Sequence, residues 1–163
     1  FKHISTGDVL RVEIKKESEL GKVAQSYIEK GQLIPDELMI DILAATYDAI
    51  GESEGVIFDG FPRTIPQAEA LKKMLAERST EVSGMLELQV PDEMLIERLI
   101  NRGKTSGRAD DNEVTIKQRL AVYHEQTSPL AAWYAEEKKH FPVQGYGDIA
   151  ELNSRLQAII DSL

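Results

Sequence analysis

The chain has 163 residues, 42% hydrophobic and 29% charged, with a formal net charge of −9, which suits one soluble globular domain with its own core. Its longest apolar runs fall far short of the ~20 residues that cross a bilayer, and no secretory leader pattern opens it. It contains no cysteine, which excludes disulfides and thiolate metal sites and fits a cytoplasmic address, and its acidity argues against a nucleic-acid partner.

The segment FKHIS (1–5) reads as a short strand. The chain starts inside it without an initiator methionine, which predicts further residues upstream. Thr6 or Asp8 can cap a helix from Val9 to about Lys16. ELGKVAQSYIEKG reads as a second helix stopped by Gly31. Asp36 is placed to cap a third, which carries Leu38, Ile42 and Leu43 on one face. GVIFDGFP is a strand too apolar to be half exposed, which predicts a place inside a parallel sheet. A helix over TIPQAEALKKMLAER and a second buried strand over SGMLELQV follow.

Pro91 and Asp92 open the next helix, DEMLIERLINRG. KTSGRADDNE is polar with glycine in or beside it and reads as a loop. EVTIKQRLAVYHEQTSPLAAWYAEEK is a long helical region that Pro129 can kink. FPVQGYG is a last short strand and DIAELNSRLQAIIDSL a closing helix. Strands alternating with helices predict an α/β, doubly wound parallel sheet with helices on both faces. Ligands of such sheets bind beyond the carboxyl ends of the strands. That lines up Thr6, Asp59 to Arg63 and Gly145 to Gly147 along one edge.

Two features point to chemistry. The chain has eight arginines, and four of them (Arg98, Arg102, Arg108 and Arg119) fall in one segment. A guanidinium fork matches phosphate oxygens bidentately, so the cluster suggests a pocket for a small polyanion. A solvated helix face laced with ion pairs explains it equally well. The second feature is Asp59, which ends an apolar strand where a carboxylate is costly unless it is paired or faces a cation.

Five blocks carry a resemblance: STGDVLR, GQLIPDEL, FDGFPRTIPQAEAL, RLINRGKTSGRADDNE and RLAVYHEQTSPL. In this order and spacing they resemble the nucleoside monophosphate kinases, specifically the adenylate kinases with a short lid, and the likeness runs from Phe1 to Leu163. In that family a strand and a glycine-rich phosphate loop with a lysine precede the helix before HISTGD. No G-x-x-x-x-G-K motif occurs in these residues. Since that loop cradles the donor phosphates, the 163 residues alone are expected to be inactive.

The resemblance implies reversible transfer of the terminal phosphoryl group of ATP to AMP, giving two ADP, with Mg²⁺. It implies a core with an acceptor-binding segment over 5–34 and a lid over 101–111, in a cytoplasmic monomer. Thr6, Arg11, Gln32, Leu33 and Ile34 then contact AMP, the last two as apolar walls. Gly60, Phe61, Pro62 and Arg63 carry its phosphate, and Gln67 pairs with an adenine edge. Arg98 and Arg102, four residues apart on one helix face, contact ATP, as does the backbone of Gly147. Arg108 and Arg119 bridge the two phosphate groups, so that Arg63, Arg98, Arg108 and Arg119 form the catalytic set. Asp59 holds Mg²⁺ through water. Asp110 and Asp111 are lid acids and hinge ion-pair partners.

The abbreviated lid leaves no room for a zinc-binding insertion. His3, His124 and His140 are scattered, without a second ligand at metal-site spacing, and Trp133, Tyr134 and Tyr123 read as helix packing. A UMP/CMP kinase shares the short lid, but such enzymes tend to carry alanine at the position of Thr6, so Thr6 with Gln67 favours AMP. A reading of another class, a noncatalytic nucleotide-binding scaffold, draws support only from the absent phosphate loop.

Overall fold

A computed structural model describes residues 1–108 and 110–163. The chain runs β1 (Lys2–Ser5), α1 (Thr6–Lys15), α2 (Glu19–Ile28), α3 (Asp36–Ile50), β2 (Val56–Asp59), α4 (Ile65–Ala76), β3 (Met85–Gln89) and α5 (Asp92–Ser106). It continues through α6 (Glu113–Val122), a π turn over Tyr123–Thr127, α7 (Leu130–Glu136), β4 (His140–Gln144) and α8 (Ile149–Ser162).

The strands are parallel, as the alternation with helices predicts, but among the described residues they form two couples instead of one continuous sheet. β1 pairs with β2, Ser5 opposite Asp59, and β3 with β4, Gln89 opposite Gln144. The expectation that β2 and β3 are buried throughout is therefore corrected. Each has a single described neighbour, which leaves Ile57 44% and Leu88 49% exposed.

Local chemistry explains the helix ends. Ser5, not Thr6 or Asp8, caps α1 by accepting from the Asp8 N–H at 3.3 Å. The helix thus starts one residue beyond the strand, with Thr6 already inside it. Asp36 does not cap α3 either: it is the first helical residue, after Pro35, and its carboxylate faces α4 instead. Thr64 caps α4 through the Gln67 N–H at 3.2 Å. α5 continues through Lys104–Ser106, part of the polar stretch read as a loop, and stops at Gly107, whose φ of 63° is a left-handed cap. The long helical region is interrupted before Pro129, by the π turn over Tyr123–Thr127, a few residues ahead of the ring that was expected to kink it.

The main core gathers Ile4 of β1, Leu10 of α1, Ala24 of α2, Leu43 of α3, Phe61 of the turn after β2 and Leu71 of α4. Every one of these is less than 6% exposed. A smaller cluster of Ala68, Leu130 and Tyr134 joins α4 to α7, with Trp133 edge-on to Tyr134. Both clusters hold α4 rigidly, and the loop leading into α4 carries Gly60 to Arg63.

Candidate active site

A cleft of about 2320 Å³ opens between the two strand couples. Parallel strands in register end together, so Ser5 and Asp59 stand side by side at its edge. One residue on, Thr6 is 3% exposed and its hydroxyl donates to the Gly60 carbonyl at 3.2 Å. This bond ties the start of α1 to the turn after β2.

That turn is shaped by its own residues. Gly60 has φ 78°, a left-handed conformation that an L side chain adopts only under strain. A Cβ there would lie 3.0 Å from Arg63 Nη2 and 3.2 Å from Thr6 Oγ1, so glycine also makes room for the guanidinium. The Phe61–Pro62 peptide is cis, and Phe61 is buried in the main core. Arg63 folds back over the turn, its Nε donating to the Gly60 carbonyl at 2.8 Å. Its backbone is held at both ends: its N–H donates to Gln67 Oε1 at 2.7 Å, and its carbonyl accepts from Thr127 Oγ1 at 2.7 Å.

Electrostatics single out this guanidinium. Burial first, then the positive charge of Arg119 and, further down, Arg11, hold Arg63 below its ordinary pKa, against the opposing pull of Asp59 and Asp110. Arg63 thus feels two further guanidiniums at the end of β2, an arrangement that invites a polyanion.

The expected lid residues hold one another. Arg102 grips Asp111 bidentately, Nε to Oδ2 at 2.7 Å and Nη2 to Oδ1 at 2.6 Å. The Asp111 side chain is fully buried and also accepts from Ser106 Oγ at 3.3 Å. The Arg102 hydrogen bond holds the carboxyl of Asp111 below the usual range, and Asp111 in turn raises Arg102. Arg119 Nη1 lies 3.2 Å from Asp110 and 3.4 Å from Asp111. Both acids are therefore ion-pair partners of arginines, Asp111 of Arg102 and Arg119 and Asp110 of Arg119. Arg108 has no ion-pair partner among the described residues, and its charge helps to lower the pKa of Asp8, whose main partner is Arg11. Ala109, within the expected lid, lies outside the described residues.

Thr6, Arg11, Gln32, Leu33, Ile34, the run Asp59 to Arg63, Gln67, Arg102, Arg108 and Arg119 all line the cleft. Arg98 and Gly147 are not among its lining residues. Arg98 is exposed on α5 and donates to the Gly145 carbonyl at 3.2 Å. The amide of Gln67 is occupied at both ends, by Arg63 and by Asp36 Oδ1 at 2.8 Å.

Asp59 departs from the reading of a costly buried carboxylate: its side chain is 63% exposed, with His3 Nε2 at 3.2 Å. No group of three His, Asp or Glu side chains able to hold a metal directly occurs among the described residues. A single exposed carboxylate at the cleft mouth suits a cation held through its water shell.

Sequence reasoning missed Asp36, Thr127 and His3 as parts of this edge. Nothing in local pattern marks them, since each acts across 28 or more residues of chain. Nor is any helix among the described residues long and apolar enough to cross a membrane.

The sequence model of a family described as "Adenylate kinase" matches residues 1–139. The chain is 63% identical over 161 residues to a curated adenylate kinase of Bacteroides thetaiotaomicron, covering 99% of this chain and 85% of that one. It is 51% identical to one from Porphyromonas gingivalis, over 99% of this chain and 83% of the relative. The corresponding figure for a Flavobacterium psychrophilum adenylate kinase is 46% over 162 residues, with 99% and 85% covered.

Proposed function

Since the chain belongs to the adenylate kinase family, phosphotransferases that convert ATP and AMP to two ADP, we propose that the edge at the end of β2 is its acceptor site. The observation that carries this reading is the trio of guanidiniums there, Arg63 pulled below its ordinary pKa by burial, Arg119 and Arg11. The repulsion that Arg63 feels from these two charges is relieved when a phosphate dianion enters.

In this reading Arg63 and Arg11 grip the AMP phosphate, Thr6 reaches the nucleotide, and Leu33 and Ile34 wall the base with Gln32 and Gln67 at its edge. The attacking phosphate oxygen is already ionised, so no general base is needed. Catalysis comes from alignment and from charge placed where it develops. Arg108 and Arg119 meet the group in transit. The ion pairs of Arg119 with Asp110 and Asp111 keep its guanidinium at the cleft wall until the substrates draw it in. Arg102, on the helix that leads to the lid, meets the donor nucleotide when it binds, and Arg98 and Gly147, which lie outside the cleft lining in the free protein, serve its outer edge.

Enzymes of this family use Mg-ATP, and Mg²⁺ there offsets phosphate charge. Asp59 would accept from its water shell, and the exposure of that carboxylate supports the role. Residues 5–34 and 101–111 act as the acceptor-binding segment and the lid, and their closure over the cleft would exclude water. A cytoplasmic site of action completes the reading.

The test is steady-state kinetics of Arg63→Lys, Arg108→Lys and Arg119→Lys in the intact enzyme, with folding checked by thermal melts. Lysine keeps the charge and loses the fork. Arg63→Lys should chiefly raise KM for AMP. The other two should lower kcat by about a hundredfold or more. Wild-type kcat and KM in all three would remove these arginines from the active site and favour the scaffold reading.

A further inference from the structure

We propose that Asp36 is a specificity-determining residue: it fixes the direction of the Gln67 amide, so that the acceptor site takes a 6-aminopurine nucleotide and rejects a 6-oxopurine one. The proposal rests on the reading of Gln67 as the contact to the base, and adds a residue that reading does not contain.

The orientation of a glutamine amide follows from its partners. Asp36 Oδ1 lies 2.8 Å from Gln67 Nε2, and the Arg63 backbone nitrogen lies 2.7 Å from Gln67 Oε1. An ionised carboxylate only accepts and a backbone N–H only donates. The amide nitrogen must therefore face Asp36 and the amide oxygen Arg63. Thr64 locks the carboxylate in turn. Its hydroxyl donates to Asp36 Oδ1 at 3.3 Å while accepting the Gln67 N–H at 3.2 Å.

Flipping the amide would set N–H against N–H at Arg63 and oxygen against carboxylate at Asp36. Gln67 is 2% exposed, so water cannot repair either clash. What the locked amide still offers is one N–H and one lone pair of fixed sense. On either edge of adenine the 6-amino group donates and a ring nitrogen accepts, which matches that offer. On its Watson–Crick edge a 6-oxopurine carries the reverse pattern and needs the flipped amide. On its other edge it presents two acceptors.

Asp36 opens the first turn of α3, separated from Gln32 to Ile34 only by Pro35. The segment that walls the base thus also carries the group that fixes what the base must be. Asp36 does not touch substrate in this scheme: it acts through Gln67 and is a positioning residue.

The experiment measures binding of AMP and of inosine monophosphate by calorimetry, with kcat/KM for both, in the intact enzyme. The variants are Asp36→Asn, Asp36→Ser, Asp36→Glu and Gln67→Ala. Asparagine or serine can donate as well as accept, so either lets Gln67 turn over and leaves only the Arg63 clash. The AMP-over-IMP preference should then fall about tenfold, and IMP should bind more tightly in absolute terms, which mere structural damage would not produce. Asp36→Glu keeps an acceptor-only group and should hold the preference nearer wild type.

An equal loss for both nucleotides, or an unchanged preference in Asp36→Asn and Asp36→Ser while Gln67→Ala abolishes it, overturns the role of Asp36 alone. An unchanged preference in Gln67→Ala overturns the reading of Gln67 itself, and that of Asp36 with it.

Discussion

Replacing Asp111 with asparagine tests whether the lid is held by a buried charge or by packing. The asparagine has almost the same volume, so the change removes charge and one acceptor pattern. What it leaves behind is Arg102, which now faces a neutral amide with a single acceptor oxygen, and either Ser106 at Oδ2 or Arg119 at Oδ1, which loses its acceptor. Breaking a fully buried ion pair costs about 3–5 kcal/mol. Here Asp111 is fully buried, but the Arg102 side chain is 38% exposed, so water recovers part of its hydration. A loss of about 2–3 kcal/mol is the consistent figure. For a domain of this size it lowers Tm by about 5–10 °C.

The pH dependence fixes the cause. The folded carboxyl of Asp111 titrates below its ordinary value because of Arg102. Its contribution is therefore complete above the unfolded value, about 3.9, and disappears as pH falls through the lower folded one. Thermal melts of the two proteins should differ fully at pH 7, begin to converge only below about pH 4, and meet once pH has passed the lower folded value. A Tm within 1 °C of wild type at pH 7, or a difference that persists undiminished in acid, would refute the charge-based account.

Three further perturbations probe the acceptor edge and the packing beneath it. Thr127→Val removes the hydroxyl that donates to the Arg63 carbonyl at 2.7 Å; KM for AMP should rise several-fold with little change in kcat, and Thr127→Ser should restore it in the same kinetic assay. Gly60→Ala forces a Cβ to 3.0 Å from Arg63 Nη2 at φ 78°; calorimetry should show weaker AMP binding, and melts a loss of about 1–2 kcal/mol. Gly21→Ala drives a Cβ to 2.1 Å from the Glu13 carbonyl oxygen, so α1 and α2 must part; a Tm within 2 °C of wild type would show that the two helices are less tightly joined than the geometry says.

Much of the fold is legible in the sequence because its punctuation is strong. The Val56-Ile57-Phe58 run before Asp59-Gly60 fixes β2, and Thr64 with Pro66 fixes the start of α4. The ends of α1 and α5 were misjudged for a shared reason. Ser5 and Thr6 are equally good caps by composition, and Ser5 is the cap because β1 ends beside Asp59. Gly103 has the look of a helix stop, yet α5 passes through it, because a side chain there would strike the Asp111 carbonyl at 2.4 Å. Its glycine answers to close packing against the lid and not to a turn. Partner choice lay further out of reach. Asp36 meets Gln67 across 31 residues and Thr127 meets Arg63 across 64, and no periodicity encodes such pairs.

The four arginines from Arg98 to Arg119 are open to two readings, polyanion pocket or ion-paired surface; three of the side chains divide between them, while Arg98 donates to the Gly145 carbonyl outside the cleft lining. Arg102 follows the ion-pair pattern, with two short bonds to a buried acid, and its work in the free protein is to hold the lid together. Arg108 lacks an ion-pair partner among the described residues and faces the cleft. Arg119 stands between, sharing one Nη with two acids at 3.2 and 3.4 Å while its charge reaches Arg63. Those longer contacts are weaker than the bidentate grip on Arg102. An incoming phosphate therefore competes for Arg119 far more easily than for Arg102. On the proposed reading the lid then keeps its anchor while releasing the arginine assigned to the transferring group, so the substitution of Asp111 and those of Arg108 and Arg119 should separate cleanly into stability and rate.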